Sequence, residues 1–350
     1  MRNGMNDRFL QRLNCVITSA ADAGRKVKLP SKITFQESGD GTVNMDLSAD
    51  CVCSNMQTDD GGFDGWALGI RYWLGEDCRV VLRWNAPPEE SEQEPTTRGR
   101  HYNRFLYRVS NLLDWCGEWV SVAPECQNAV NMWNRKLDEY KGGSDGLVLN
   151  CRTFGRDGSD EEIEDGCTEH ELERFLAGTH GKTLLESALR LPSSSSLERQ
   201  IPVGLFWSDP PQKKTALFSH GKSALDLCAI DGPIAYPLEL KKFSAGPKVG
   251  FLSEILFYSS VIRNIQKKAF RFCKSGPDEK SKKESSEGFE SKLCNTQIVR
   301  GYIIAPEMHP LLDKRGFFSF VNASLENDGI RIGFLSYTGA EKEIECRYSA

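Results

Sequence analysis

The stretch Ser223 to Lys242, SALDLCAIDGPIAYPLELKK, decides how the chain reads. Its two apolar runs flank Asp231-Gly232, a dipeptide suited to the tight turn between antiparallel strands. Ser223 to Ile230 and Ile234 to Lys241 are therefore expected to be neighbouring strands. Side chains alternate across a strand, so Leu225, Leu227 and Ala229 fall opposite Asp226, and Leu238 and Leu240 fall opposite Glu239 and Lys241. One side of the hairpin is apolar, and the other gathers two carboxylates and an ammonium. The bland alternative is an exposed ion pair between Lys241 and one of the acids. Against it, an acid pair set among apolar strands is costly without a cation.

Two acids and a lysine at one point suit metal-dependent phosphodiester hydrolysis. That reaction needs a deprotonated water near phosphorus and neutralisation of the charge that develops on the phosphate and the leaving oxygen. A carboxylate-held Mg²⁺ supplies both, and Mn²⁺ can substitute. Asp226 and Glu239 are the expected ligands, with the carbonyl of Leu240 as a third oxygen. Lys241 can orient or help deprotonate the water, or stabilise the phosphate.

Working outward, Thr168 to Leu191 reads as one or two helices, opened by Thr168 as N-cap with Glu171 three residues on. Ile201 to Trp207 is a short strand, Phe251 to Phe272 a long helix with an apolar stripe, Thr296 to Ile304 a strand, Pro310 to Leu325 a helix and Ile330 to Tyr337 a last strand. The order helix, three strands, helix, strand, helix, strand, carrying Asp226 and Glu239-Leu240-Lys241, resembles the PD-(D/E)XK, or restriction-endonuclease-like, nuclease superfamily over residues 168 to 340.

The resemblance implies a metal-dependent nuclease, most simply a DNA endonuclease, of the kind found among microbial restriction and phage-defence effectors. It also implies an additional acid, for which Glu186 and Glu198 both qualify, and polar groups from the later helix, where Glu254 and Tyr258 share a face and Lys248 lies just upstream as a phosphate contact. An RNA nuclease and a catalytically inactive binding or assembly subunit are the alternatives. No proline precedes Asp226, a departure from the pattern. The net charge of −5 speaks against strong nonspecific DNA affinity. A protein partner or self-association through the N-terminal half would supply targeting or activation.

The charge is uneven. Residues 1 to 200 hold 23 Lys and Arg against 32 Asp and Glu, and residues 201 to 350 hold 21 against 17, so the basic half carries the candidate site. Apolar content is that of a globular chain, and the fold class expected is mixed α/β. No apolar run is long enough to cross a membrane and the N-terminus lacks a signal-peptide core, which points to the cytoplasm. The twelve cysteines lack zinc spacing and read as reduced, mostly buried thiols.

Polar runs at Ala86 to Gly99, Asp157 to Asp165 and Lys274 to Lys292 mark a surface loop, a domain linker and an insertion. They predict a mixed α/β domain over residues 1 to 156 and a nuclease-like domain over 168 to 350. In the first, Trp66 to Trp73 and Cys78 to Trp84 read as strands of a hairpin around Leu74-Gly75-Glu76-Asp77. His101 to Trp119 and Cys126 to Tyr140 read as helices, and Gly146 to Asn150 as a strand. Six of the seven tryptophans fall in this half, at apolar positions that suit packing rather than base stacking.

Overall fold

A computed structural model describes residues 2–20, 26–87, 96–142, 146–151, 158–159, 167–218, 223–242, 246–274, 284–338 and 343–350. The fold is mixed α/β, as expected, and resolves into two compact units. The first comprises Met1–Asp138, Pro247–Glu254 and Met308–Ser324. The second comprises Glu139–Gly246, Ile255–Glu307 and Leu325–Ala350. The units are thus not two consecutive stretches divided at the acidic run near residue 160. Two later segments return to the first unit, which no linker composition could disclose. The acidic run itself lies almost wholly outside the described residues.

In the first unit, α1 (Arg2–Ala20) packs on a four-stranded sheet in the order β1 (Ile33–Glu37), β2 (Thr42–Leu47), β3 (Arg79–Trp84), β4 (Val120–Val122). The β1–β2 pair is antiparallel and the others are parallel. The helices are α2 (Ala49–Val52), α3 (Phe63–Leu74), α4 (Thr97–Cys116) and α5 (Pro124–Lys141). The expected hairpin is corrected here, because Trp66 to Trp73 lies in helix α3. The segment has strand-like composition, yet Phe63, Trp66, Ile70 and Trp73 recur at helical spacing and all are buried. Gly69 brings α3 close to a returning segment, since a methyl there would meet Leu311 Cδ2 at 2.5 Å. Tertiary packing overrides local propensity.

On β3 the alternation holds, with Val80, Leu82 and Trp84 buried and Arg79 and Arg83 exposed. Arg83 meets Glu125 at 2.7 Å and Asp46 at 3.5 Å. Trp66, Trp73, Trp84 and Trp133 are core residues, which answers the tryptophan question for these four in favour of packing.

The second unit opens with β5 (Leu147–Leu149), α6 (Glu169–Ala177), α7 (Thr179–Leu189), β6 (Ser196–Pro202), β7 (Leu205–Phe206) and β8 (Ala216–Phe218). Then come β9 (Ala224–Asp231), β10 (Ile234–Leu240), α8 (Gly250–Gln266), β11 (Phe270–Arg271), α9 (Glu284–Asn295), β12 (Ile298–Ala305), α10 (Arg315–Leu325), β13 (Ile330–Thr338) and β14 (Glu343–Tyr348). The first turn of α8 and nearly all of α10 belong to the first unit. Helix α9 occupies the end of the run read as an insertion; residues 275–283 of that run lie outside the described residues.

Six strands form the main sheet, in the order β14-β13-β12-β10-β9-β6. The Asp231-Gly232 turn, with Gly232 at φ 52°, joins β9 and β10 antiparallel, and β10, β12 and β13 run parallel. Thr168 forms the full capping box with Glu171 at the start of α6. One sheet face, bearing Leu227, Ala229, Tyr236, Leu238 and Leu240, packs on Leu172, Phe175 and Leu176 of α6 and Leu185 of α7. Each enclosed leucine or phenylalanine stabilises by about 1.5–3 kcal/mol. On the other face α8 approaches β12 closely, since a methyl on Gly301 would meet Ser259 Oγ at 2.4 Å.

A second sheet, β11-β5-β7-β8, draws together distant parts of the chain. Its parallel β5–β11 pair brings Cys151 and Cys273, 122 residues apart, into a disulfide. The expectation of reduced thiols is therefore corrected at this pair. Strand pairing, which sequence spacing does not reveal, sets the partners. No helix among the described residues is long and apolar enough to cross a membrane.

Candidate active site

The hairpin register carries the site. Leu238 pairs with Leu227, so one step further along β10 and β9 sets Glu239 against Asp226. Because Leu227, Leu238 and Leu240 belong to the apolar cluster under α6 and α7, Asp226 and Glu239 stand on the opposite face. The strand ends are tied at that point. Asp226 Oδ2 accepts the Leu240 N–H at 2.9 Å, and the Lys241 N–H donates to the Ile304 carbonyl at 2.8 Å. The aspartate therefore fixes the backbone between Glu239 and Lys241.

Lys241 Nζ donates to Glu239 Oε1 at 2.7 Å. Both side chains are enclosed, with 3% and 4% of their surfaces exposed, while Asp226 is half-buried. The pair anticipated as an alternative reading exists, but it is buried rather than exposed. Charges in such a setting act over a low local dielectric, so each shapes the other's hydrogen bonding strongly.

The two candidate additional acids part company. Glu198 on β6 pairs with Cys228, which shares the Asp226 side of β9, so Glu198 lies on the sheet face of the trio. Glu186 sits on α7, in the layer over the opposite face, where it accepts from Ser195 Oγ at 3.0 Å and meets Lys182 at 3.5 Å. The structure does not bring Glu186 to the trio. Arg199, next to Glu198, faces the helical layer and donates to Glu173 at 2.9 Å.

Gln200 is a feature that alternation alone misplaces. The β6–β9 register sets it beside Asp226, yet its φ of 54° turns the side chain to Glu173 of α6 at 2.8 Å. A positive φ in a non-glycine residue is not readable from spacing. The expected substrate-binding residues divide as well. Tyr258 belongs to the second unit and packs edge-on against Phe257, whereas Lys248, exposed, and Glu254, fully buried, belong to the first.

As a donor set, Asp226, Glu239 and the Leu240 carbonyl are hard oxygens, the chemistry that suits Mg²⁺ or Mn²⁺. Among the described residues no group of three or more His, Cys, Asp or Glu side chains is placed to hold a metal ion, so a bound ion would draw on backbone and solvent oxygens too. Comparison with family models, with curated proteins and with solved structures gave no match.

Proposed function

We propose that the second unit is a metal-dependent nuclease of the PD-(D/E)XK type, with DNA as its substrate. The observation that supports this reading is the convergence of Asp226, Glu239 and Lys241 on one sheet face while every alternate residue enters an apolar core. A second support is the run of elements around the site, α6 and α7 before the β9–β10 hairpin and α8 and β12 after it, although the strand expected over Ile201 to Trp207 is divided between β6 of the main sheet and β7 of the second.

In this reading Asp226 and Glu239 would hold Mg²⁺ together with the Leu240 carbonyl. The ion would supply water activation and charge neutralisation at the phosphate. The residues do the positioning. Asp226 fixes the Leu240 amide, and Glu239 holds the Lys241 ammonium on the sheet face of the two carboxylates. Glu198 is the additional acid that the register favours. Action on invading DNA in the cytoplasm, with the first unit providing recognition or assembly, is the biological setting that fits this chemistry.

The enclosure of the Glu239–Lys241 pair favours a second reading, a nuclease-fold subunit that binds or assembles without cutting. One experiment separates the two. Purified protein is incubated with plasmid, linear duplex, single-stranded DNA and RNA, with Mg²⁺, Mn²⁺ or EDTA, beside Glu239→Gln and Lys241→Met. The nuclease reading expects metal-dependent DNA cleavage that falls by about 10²-fold or more in either variant. Cleavage in EDTA, or undiminished cleavage in both folded variants, overturns it, and RNA-only cleavage changes the substrate. No cleavage of any substrate leaves the binding subunit.

A further inference from the structure

The first unit contains a cleft of about 550 Å³, within the roughly 300–1,000 Å³ typical of small-molecule sites. It is lined by Lys32, Ser54, Asn55 and Thr58, and by Arg98 and His101 from the start of α4. Two acids, Asp50 and Asp60, also line it, and both are already engaged by the wall itself. Asp50 Oδ1 accepts from Arg98 at 2.9 Å. The Asp60 carboxylate takes the Lys32 N–H at 2.9 Å and the Ser31 hydroxyl at 3.2 Å.

Lys32 differs from these acids. Its ammonium donates to Ser54 Oγ at 3.2 Å, and among the described residues no carboxylate stands within ion-pair distance of it. An ammonium has three donors, so this one retains capacity for an anion. Arg98 and His101 also line the cleft, the His101 Nδ1 standing 3.4 Å from the carbonyl of Ser54, the residue that Lys32 bonds. The remaining lining side chains, such as Asn55, Thr58 and Thr97, are short, and their hydroxyl and amide groups can hydrogen-bond a sugar or base.

We propose that this cleft binds a phosphate-bearing small molecule of nucleotide size, with Lys32 as the principal phosphate contact and His101 and Arg98 completing the anion pocket. The proposal concerns the first unit alone and does not depend on the nuclease reading.

Isothermal titration of the full chain with inorganic pyrophosphate, ADP and adenosine tests it, with alkylation of Cys53 followed by mass spectrometry to locate the site. Pyrophosphate and ADP are expected to bind and to slow modification of Cys53, which lines the cleft, while adenosine does neither. Lys32→Gln should weaken both ligands by about tenfold to a hundredfold, the effect of losing one hydrogen bond to a charged group. His101→Gln serves as a second variant, and unchanged melting temperatures establish that both fold. Glu239→Gln should bind as the wild type does, which keeps this test apart from that of the nuclease. Absence of binding at millimolar ligand, adenosine binding as tightly as ADP, or undiminished binding in folded Lys32→Gln would each overturn the proposal.

Discussion

Asp64–Arg108 in the first unit and Glu239–Lys241 in the second are both enclosed ion pairs, built in different ways. Arg108 presents two nitrogens to Asp64, at 3.0 and 2.7 Å, and its guanidinium lies 4.6 Å from the centre of the Phe63 ring. The Gly65 N–H and the Ser253 hydroxyl also donate to Asp64. This pair links α3, α4 and the first turn of α8 through a planar fork with a fixed geometry. Glu239 and Lys241 instead lie two residues apart on one strand and share a single nitrogen-to-oxygen contact. A lysine on its flexible stem can trade that contact for another oxygen; an arginine forked onto a carboxylate that takes four donors in all, with its guanidinium over a ring, cannot do so cheaply. The first arrangement suits architecture, and the second suits exchange.

The largest expected effect tests the architectural side. Arg108→Ala leaves the Asp64 carboxylate buried without its cation and should destabilise the chain by about 3–5 kcal/mol. Urea denaturation followed by circular dichroism measures the loss. A cost below about 1 kcal/mol would mean that water or a rearranged side chain replaces the arginine, and the contrast between the pairs would collapse. Arg108→Lys should recover part of the stability and not the whole, because one ammonium cannot reproduce the fork.

A group enclosed without charge extends the contrast. His309 is buried against the Trp66 ring edge, and its Nδ1 accepts the Leu311 N–H at 3.2 Å. Burial pushes its pKa down to about 4, from an ordinary 6.5. The unfolded chain takes up this proton near pH 6.5 and the folded chain only near pH 4. The contribution of His309 is therefore complete above about pH 6.5, declines as the pH falls through that window and levels off below it. The full loss amounts to about 3 kcal/mol. Urea midpoints at pH 7, 5.5 and 4.5 should fall more steeply for the wild type than for His309→Gln; parallel slopes would show that the ring is not held neutral.

What could be read from the sequence follows the same division between local and distant causes. The β9–β10 hairpin, the placement of Asp226, Glu239 and Lys241 opposite an apolar face, and the α6 capping box were all legible, because each depends on residues within a few positions of one another. Helix α3 was not. Its aromatic content resembles a strand, and its burial depends on contacts such as Gly69 against Leu311, more than two hundred residues away. The same holds for the Cys151–Cys273 pairing and for the return of residues 308–324 to the first unit. Glu198 and Glu186 were indistinguishable until strand register separated their faces, and Gln200 changed face through one backbone angle.

The smallest expected effect is the most discriminating. Replacing both members of an enclosed ion pair by uncharged side chains of similar volume removes the desolvation cost along with the attraction, and is often neutral or stabilising. The Glu239→Gln/Lys241→Met double variant should therefore fall within about 1 kcal/mol of wild-type stability, on either side, because the pair is a single lysine-to-carboxylate contact between neighbours on one strand. The matching change at the other pair, Asp64→Asn with Arg108→Met, should remain clearly destabilised, since it sets an amide NH2 in a buried site whose remaining neighbours, the Gly65 N–H and the Ser253 hydroxyl, are donors, and it removes the guanidinium over Phe63. Thermal melts of the two double variants make the comparison directly. Equal losses would show that Glu239–Lys241 is as architectural as Asp64–Arg108, which would favour the binding subunit. A neutral double variant that has lost metal-dependent cleavage would identify a site kept for its chemistry at no gain in stability.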